Sequence, residues 1–230
     1  MMMVKRFVPR QHDYTYIRTL LITLKPLIII SLFTTMDYQT FDKDIENYSI
    51  RLQSAIQALD KNQINTFMNA LLEAYEAGNN IFIFGNGGSS ATASHYVVDF
   101  NKGVLMHLDK KFKFICLNDN VPSLMAIAND CGFENVFSMQ LEGRLQKGDI
   151  IIAISGSGNS KNVIKAVEYA KSQGNKVLSL TGYSGGKLLQ LSDVPIHANI
   201  NDMQIAEDIH MMLCHMISST IARKYGHPMC

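Results

Sequence analysis

His95 and Asp99 stand four residues apart, just behind the run Gly85-Asn86-Gly87-Gly88-Ser89. In a helix that spacing puts an imidazole and a carboxylate on one face, a pair able to pass protons. The apolar run 81–84 ahead of them reads as a strand that stops at the glycines, and the segment after the two serines can be helical. A strand, a glycine-rich turn and a helix start leave bare backbone N–H groups facing outward, which suits an anion. Residues 82–99 therefore read as a phosphate-binding turn with a titratable pair one or two helical turns beyond it.

A second stretch is built alike. Ile154-Ser155-Gly156-Ser157-Gly158-Asn159-Ser160 lies between an apolar strand, 150–154, and a helix that starts near Ser160. Hydroxyl donors, small residues and a helix N-terminus together suit a phosphate monoester. Neither stretch is a GxxxxGK[ST] loop and neither satisfies GxGxxG. One serine-glycine loop alone would be a plain turn. Two of them at successive strand ends of one sheet point to a phosphorylated small ligand.

The elements that must hold these loops are legible in the hydrophobic pattern. Short apolar strands are predicted at 81–84, 112–117, 150–154, 177–181 and 194–197, with helices at 91–99, 123–129, 136–145 and 160–173 and a closing helix at 204–225. Uninterrupted apolar strands joined by helices argue for an α/β fold with a parallel sheet covered on both faces. Ligands in such sheets gather at the carboxyl ends of the strands. Upstream, Ile45, Ile50, Leu52, Ile56 and Leu59 mark one amphipathic helix, and Ile64, Phe67, Leu71 and Tyr75 mark a second that ends at Gly78.

Composition narrows the class. Of 230 residues, 47% are hydrophobic and 18% charged, the make-up of a globular chain with a core. The formal net charge of +1 is uneven. Residues 1–35 hold five basic side chains against Asp13, which leaves the remainder slightly acidic. Such a body offers no groove for nucleic acid, whose binding leans on Lys and Arg at the phosphates. Cys116, Cys131, Cys214 and Cys230 form no CxxC pair and read as reduced thiols of a cytoplasmic protein.

The glycine-serine runs carry a family resemblance. Gly85-Asn86-Gly87-Gly88-Ser89, the run SGSGNS at 155–160, Thr181-Gly182-Tyr183-Ser184-Gly185-Gly186 and the closing AEDIHMMLCH resemble a SIS (sugar isomerase) domain, over about residues 37–223. Within that family the chain is most similar to the phosphoheptose isomerases, which interconvert sedoheptulose 7-phosphate and D-glycero-D-manno-heptose 7-phosphate. The resemblance implies a three-layer sandwich, with a five-stranded parallel sheet flanked by helices and preceded by N-terminal helices. It also implies a homotetramer with active sites at subunit interfaces. Ser155, Ser157 and Ser160 would hold the phosphate, and Asn86, Gly87 and Ser89 the sugar. Asp130 matches a substrate-binding residue, and Gln204 stands where the family has a substrate-contacting Asp. The family usually carries a hydroxyl residue where this chain has Gly156.

The implied reaction is an aldose–ketose isomerisation through an enediol, which needs a base and an acid at neighbouring carbons. His215 matches one acid/base residue, and the carboxylate partner is Asp99 or Glu207. Asp99 replaces a family Glu, and Glu207 replaces a Gln. His95, Asp99, Glu207 and His215 correspond to residues that bind zinc in some members, and two imidazoles with two carboxylates make a tetrahedral set for one zinc per subunit. Glu207 and His215 share one broad helical face. His210, three residues after Glu207, reads as structural. The reading from another class is a non-catalytic SIS protein, either a replication regulator that binds DnaA or a sugar-phosphate sensor. The four retained titratable side chains favour the enzyme.

Residues 1–35 stand apart from this pattern. The apolar stretch 19–35 is shorter than the roughly 20 apolar residues of a spanning helix and has Lys25 and Pro26 near its middle. A central Lys costs roughly 2.5–3.5 kcal/mol on insertion, so a membrane span is not expected. No small-residue cleavage site follows it. The reading adopted is an atypical extension ahead of a natural start at Met36, with the SIS domain at 36–230.

Overall fold

The computed structural model describes residues 39–104, 106 and 109–226; the expected 1–35 extension and Met36 lie outside them. The chain divides into two units, Met1–Glu46 and Asn47–Cys230. The second holds the α/β fold.

Helices α1 (Asp42–Gln57) and α2 (Lys61–Ala77) come first. Asp60 caps α2 by accepting from the Asn62 N–H, and Gly78 ends it in the left-handed conformation that favours glycine. The expected alternation follows: β1 (Ile81–Gly85), α3 (Gly88–Val98), β2 (Phe114–Cys116), α4 (Val121–Cys131), α5 (Ser138–Leu141), β3 (Ile150–Ser155), α6 (Lys161–Ser172), β4 (Lys176–Thr181), α7 (Gly186–Leu191), β5 (Val194–His197) and α8 (Met203–Lys224). The short α7 and a π-helical turn after α3, Asp99–Val104, have no counterpart in the hydrophobic pattern.

All strand pairs are parallel, in the order β2-β1-β3-β4-β5. The strands are apolar on both faces because both faces are covered. Ile81, Ile83, Ile150, Ile152 and Leu178 pack with Phe67 and Leu71 of α2, Tyr96 of α3 and the Ile205-Ile209-Leu213-Ile217-Ile221 stripe of α8. The alternating residues Phe82, Phe84, Ile151, Ala153 and Val177 pack on the other side with Leu141, Val163, Val167 and Leu188. Full burial of each such side chain is worth about 1.5–3 kcal/mol. This is a three-layer sandwich.

The order reverses between β1 and β3, which are neighbours in the sheet but leave toward different connections. A crevice opens at the carboxyl ends of strands where that reversal occurs. Gly85 is paired with Ile154 there, so the two glycine-serine loops leave the sheet side by side.

Candidate active site

The two loops make one cavity of about 130 Å³, lined by Asn86, Ser89, Ile154, Ser155, Gly156, Ser157, Ser160, Met203 and Glu207. Three serine hydroxyls of the second loop and one of the first face it, which suits a small polar group. Among the described residues no cationic side chain lines it, so recognition of an anion would fall to neutral donors and helix N-termini. Ser160 sits at the N-cap of α6 and Gly87 at that of α3, and neither start has a side-chain cap. The Val163 N–H of α6 is taken by the Asn162 Oδ1 at 2.9 Å and the Ser90 N–H of α3 by the Gly87 carbonyl at 3.0 Å, so an anion would rely on the earlier N–H groups of each turn. Gly87 holds φ +53° and ψ −123°, a backbone region that excludes L side chains.

The second glycine-serine loop is held from behind. The carbonyls of Gly156 and Gly158 accept from the N–H groups of Gly182 and Leu188, at 2.9 Å each. The Asn159 side chain accepts from the Lys187 N–H at 3.0 Å. The third glycine-rich run, 181–186, is thus a buttress for the second. Ser155 is buried, its Oγ accepting from the Gly158 N–H at 3.1 Å and lying 3.3 Å from the Ser160 Oγ. Gly156 faces Met203: a Cβ there would meet its sulfur at 2.6 Å.

Asn86 is fixed by a residue that motif reasoning passed over. It exchanges two side-chain amide bonds with Asn162, at 2.9 and 2.8 Å, and Asn162 is buried in the first turn of α6. Asn118 does the same for the strand end, donating to the Gly85 carbonyl at 2.9 Å and accepting from its N–H at 3.2 Å. A single Asn beyond an apolar strand is the only sequence signal for either.

A second cluster lies farther along α3 and α8. The Nε2 atoms of His95 and His215 are 2.8 Å apart, and the Asp99 Oδ1 is 3.5 Å from the His95 Nε2. The other Asp99 oxygen accepts from the Ser218 Oγ at 3.1 Å and the Cys214 Sγ at 3.8 Å. His95 is half-buried and His215 exposed, whereas Cys214 and Ser218 are buried. Burial pushes the Cys214 thiol far up from its ordinary pKa, and the Asp99 charge adds to the push.

The expected four-residue set is not assembled within one chain. Glu207 and His215 are eight residues apart on a continuous helix, about 12 Å along its axis. The Glu207 carboxylate stands against Gly88, at the positive end of α3, on the wall of the cavity between the two loops. Among the described residues, the ligand atoms of His95, Asp99 and Cys214 lie within 4.8 Å of one another, and the His215 Nε2 adjoins that of His95. Imidazole, carboxylate and thiol are all zinc ligands, so this donor chemistry fits the metal. Gln204 is exposed in the first turn of α8, and Asp130 is exposed at the end of α4, where Asn129 donates to it at 2.7 Å. Neither lines the cavity.

The SIS domain family matches residues 46–182. The chain belongs to that family. It is 36% identical to a phosphoheptose isomerase of Helicobacter pylori over 176 residues, 76% of this chain and 91% of that one. A probable phosphoheptose isomerase of Thermoplasma volcanium is 35% identical over 182 residues, covering 79% and 92%. Among solved structures, the phosphoheptose isomerase GmhA of Neisseria gonorrhoeae superposes with a TM-score of 0.72 at 30% identity, over 79% of this chain and 98% of that one. In this SIS domain the hydroxyl-lined cavity lies at the β1–β3 crevice and the titratable cluster farther along α3 and α8.

Proposed function

We propose that this chain is a sugar-phosphate aldose–ketose isomerase that converts D-sedoheptulose 7-phosphate to D-glycero-D-manno-heptose 7-phosphate through an enediol. The observation that carries the reading is the pairing of a hydroxyl-lined cavity at the β1–β3 crevice with an imidazole–carboxylate cluster farther along α3 and α8. The names of its relatives agree with it.

Ser155, Ser157, Ser160 and the α6 N-terminus would take the phosphate, with Asn86, Gly87 and Ser89 at the adjoining sugar hydroxyls. Asp130 and Gln204 would contribute only from another subunit's side of the site. In the forward step the C1–H bond breaks and its proton passes to a base. The C1–C2 bond becomes double as the C2 carbonyl oxygen takes up a proton. Return of a proton to C2 and loss of the O1 proton leave the C1 aldehyde. Asp99 rather than Glu207 is the carboxylate here, because it shares the cluster with His215, which moves the oxygen-bound proton. Zinc bound at His95 and Asp99 would polarise the substrate oxygens.

We also infer a homotetramer in the cytoplasm. A groove of about 570 Å³ lined by Leu52, Ile56, Met211, Met212, His215 and Met216 supports assembly beside the site. The free thiols Cys116, Cys131 and Cys214 support a reducing compartment. Among the described residues, no helix is long and apolar enough to cross a membrane.

The test is an NMR screen of C5–C7 ketose and aldose phosphates with wild type and His215→Ala, with and without zinc. Interconversion of the C7 pair by the wild type, lost in the variant, is the expected result. Absence of turnover for every phosphate would overturn the isomerase reading.

A further inference from the structure

We propose that Ser218 is a positioning residue for the Asp99 carboxylate: its buried hydroxyl pins one oxygen of Asp99 and so turns the other toward the two imidazoles. This deepens the isomerase reading above and rests on it. The Asp99 side chain is only 12% exposed, and among the described residues no Lys or Arg pairs with it. A carboxylate so placed needs hydrogen-bond donors from the protein. Its Oδ2 has two, the Ser218 hydroxyl at 3.1 Å and the Cys214 thiol at 3.8 Å, both from the buried face of α8. The thiol is the weaker donor. Ser218 has one other acceptor within reach, the His215 carbonyl at 3.2 Å. That carbonyl already accepts from the Ser219 hydroxyl, and a charged acceptor makes the stronger bond. The Ser218 proton therefore goes to Asp99.

The bond matters because packing alone does not aim a carboxylate. The second torsion of an Asp side chain is broad and two-fold, with no staggered well to fix the plane of the oxygens. A directed donor on one oxygen supplies what the torsion lacks. With Oδ2 anchored, Oδ1 stands 3.5 Å from the His95 Nε2, which is itself 2.8 Å from that of His215. Asp99 also opens the π-helical turn Asp99–Val104, where regular helical spacing no longer sets the direction of its side chain. Ser218 is fully buried, so it acts on a substrate through the residue that it holds.

The test combines steady-state kinetics on sedoheptulose 7-phosphate with crystallography. Ala is a good helix former, so Ser218→Ala should fold. It should lower kcat about 10- to 100-fold, the cost of about an ångström of misplacement, with KM within about twofold of wild type. Ser218→Cys keeps a weaker donor and should recover part of the loss. Thr220→Ala removes a hydroxyl from another face of α8 and should match wild type. In the Asp99→Asn background, Ser218→Ala should cost less than about twofold, because the group it acts through is already lost. A merely structural Ser218 would lower activity by the same factor in both backgrounds, and that additive result would overturn the proposal. Crystal structures give a reading free of activity. In Ser218→Ala the Asp99 carboxylate should turn away from His95, and a carboxylate left in its wild-type orientation would overturn the proposal whatever the kinetics. If the wild type turns over no sugar phosphate, the isomerase reading falls alone, and the crystal structures still decide whether Ser218 aims Asp99.

Discussion

Asn86 and Asn162 are joined by two reciprocal amide hydrogen bonds, 2.9 and 2.8 Å long, across the crevice between β1 and β3. Asn86 follows the first strand and Asn162 begins the helix after the third, so the pair locks the two ligand loops to each other. Asn162 is not among the residues lining the cavity between the two loops. Its part is to hold Asn86 in one orientation. Asn162→Ala should raise KM for the sugar phosphate about tenfold and lower stability by about 1–2 kcal/mol, the cost of a buried amide left unpaired. Asn162→Asp should be worse in KM, because a carboxylate oxygen would face the Asn86 carbonyl. Steady-state kinetics beside chemical denaturation measure both, and an unchanged KM in both variants would remove the locking role.

Asp99 and His215 share the second cluster, and their losses should not add. Each of Asp99→Asn and His215→Gln should lower kcat by about 10³-fold, within the range for a positioned acid or base. The double variant should fall little further, since either loss disables the same proton circuit. Glu207→Gln should act differently. Its carboxylate lies on the phosphate cavity rather than at the cluster, so its removal should change KM, and lower it, while kcat stays within about threefold. A kcat collapse in Glu207→Gln would return the base to that residue.

The fold was legible because its signals are local. Runs such as 81–84 and 150–154 are apolar at every position, which only a strand covered on both faces requires. The loop that joins β3 to α6 was legible for the same reason, since Ser155, Ser157 and Ser160 fall within six successive residues. What escaped was contact between distant segments. Asn162 and Met203 reach the site across the sheet crevice, and Cys214 and Ser218 meet Asp99 from more than 110 residues away. In the sequence Cys214 is one of four reduced thiols, and nothing there marks it as a neighbour of Asp99. Helical periodicity put Glu207 and His215 on one face of α8 but carries no information on what each end of that face meets. The π-helical turn at Asp99 had no signal either, and it lies where the short carboxylate has to be aimed.

His210 gives the chain a pH-dependent stability. It is fully buried in α8, and that burial pushes its imidazole down to about 4, with the Thr181 backbone opposing and the His197 charge assisting. Its folded pKa is thus below the unfolded value of about 6.5. The unfolded chain then binds the extra proton between pH 6.5 and pH 4, so stability is complete above 6.5 and falls as pH drops through that window. The loss between pH 7.5 and pH 5 should be about 2 kcal/mol. His210→Gln cannot titrate and should flatten that segment of the curve. Urea denaturation of both proteins at the two pH values decides it, and equal slopes would assign the dependence elsewhere.

Gly158 and Gly174 separate backbone strain from steric exclusion. Both hold positive φ, +66° and +77°. A Cβ on Gly174, in the turn after α6, would meet nothing within 4 Å, whereas one on Gly158 would collide with the Gly185 carbonyl of the buttressing loop. Gly174→Ala therefore carries only the left-handed penalty of about 1–2 kcal/mol and should leave KM unchanged. Gly158→Ala adds a backbone collision that no rotamer relieves, so the loops at 155–160 and 181–186 must part and the Gly158 carbonyl loses its bond from Leu188. A stability loss of about 3 kcal/mol or more is expected. The KM for sugar phosphate should rise at least tenfold, because the Ser155–Gly158 contact that shapes the phosphate site is broken with it. Thermal melts and initial rates on the two variants measure these outcomes. Equal losses in both would mean that the two loops are independent and that the third glycine-rich run does not support the second.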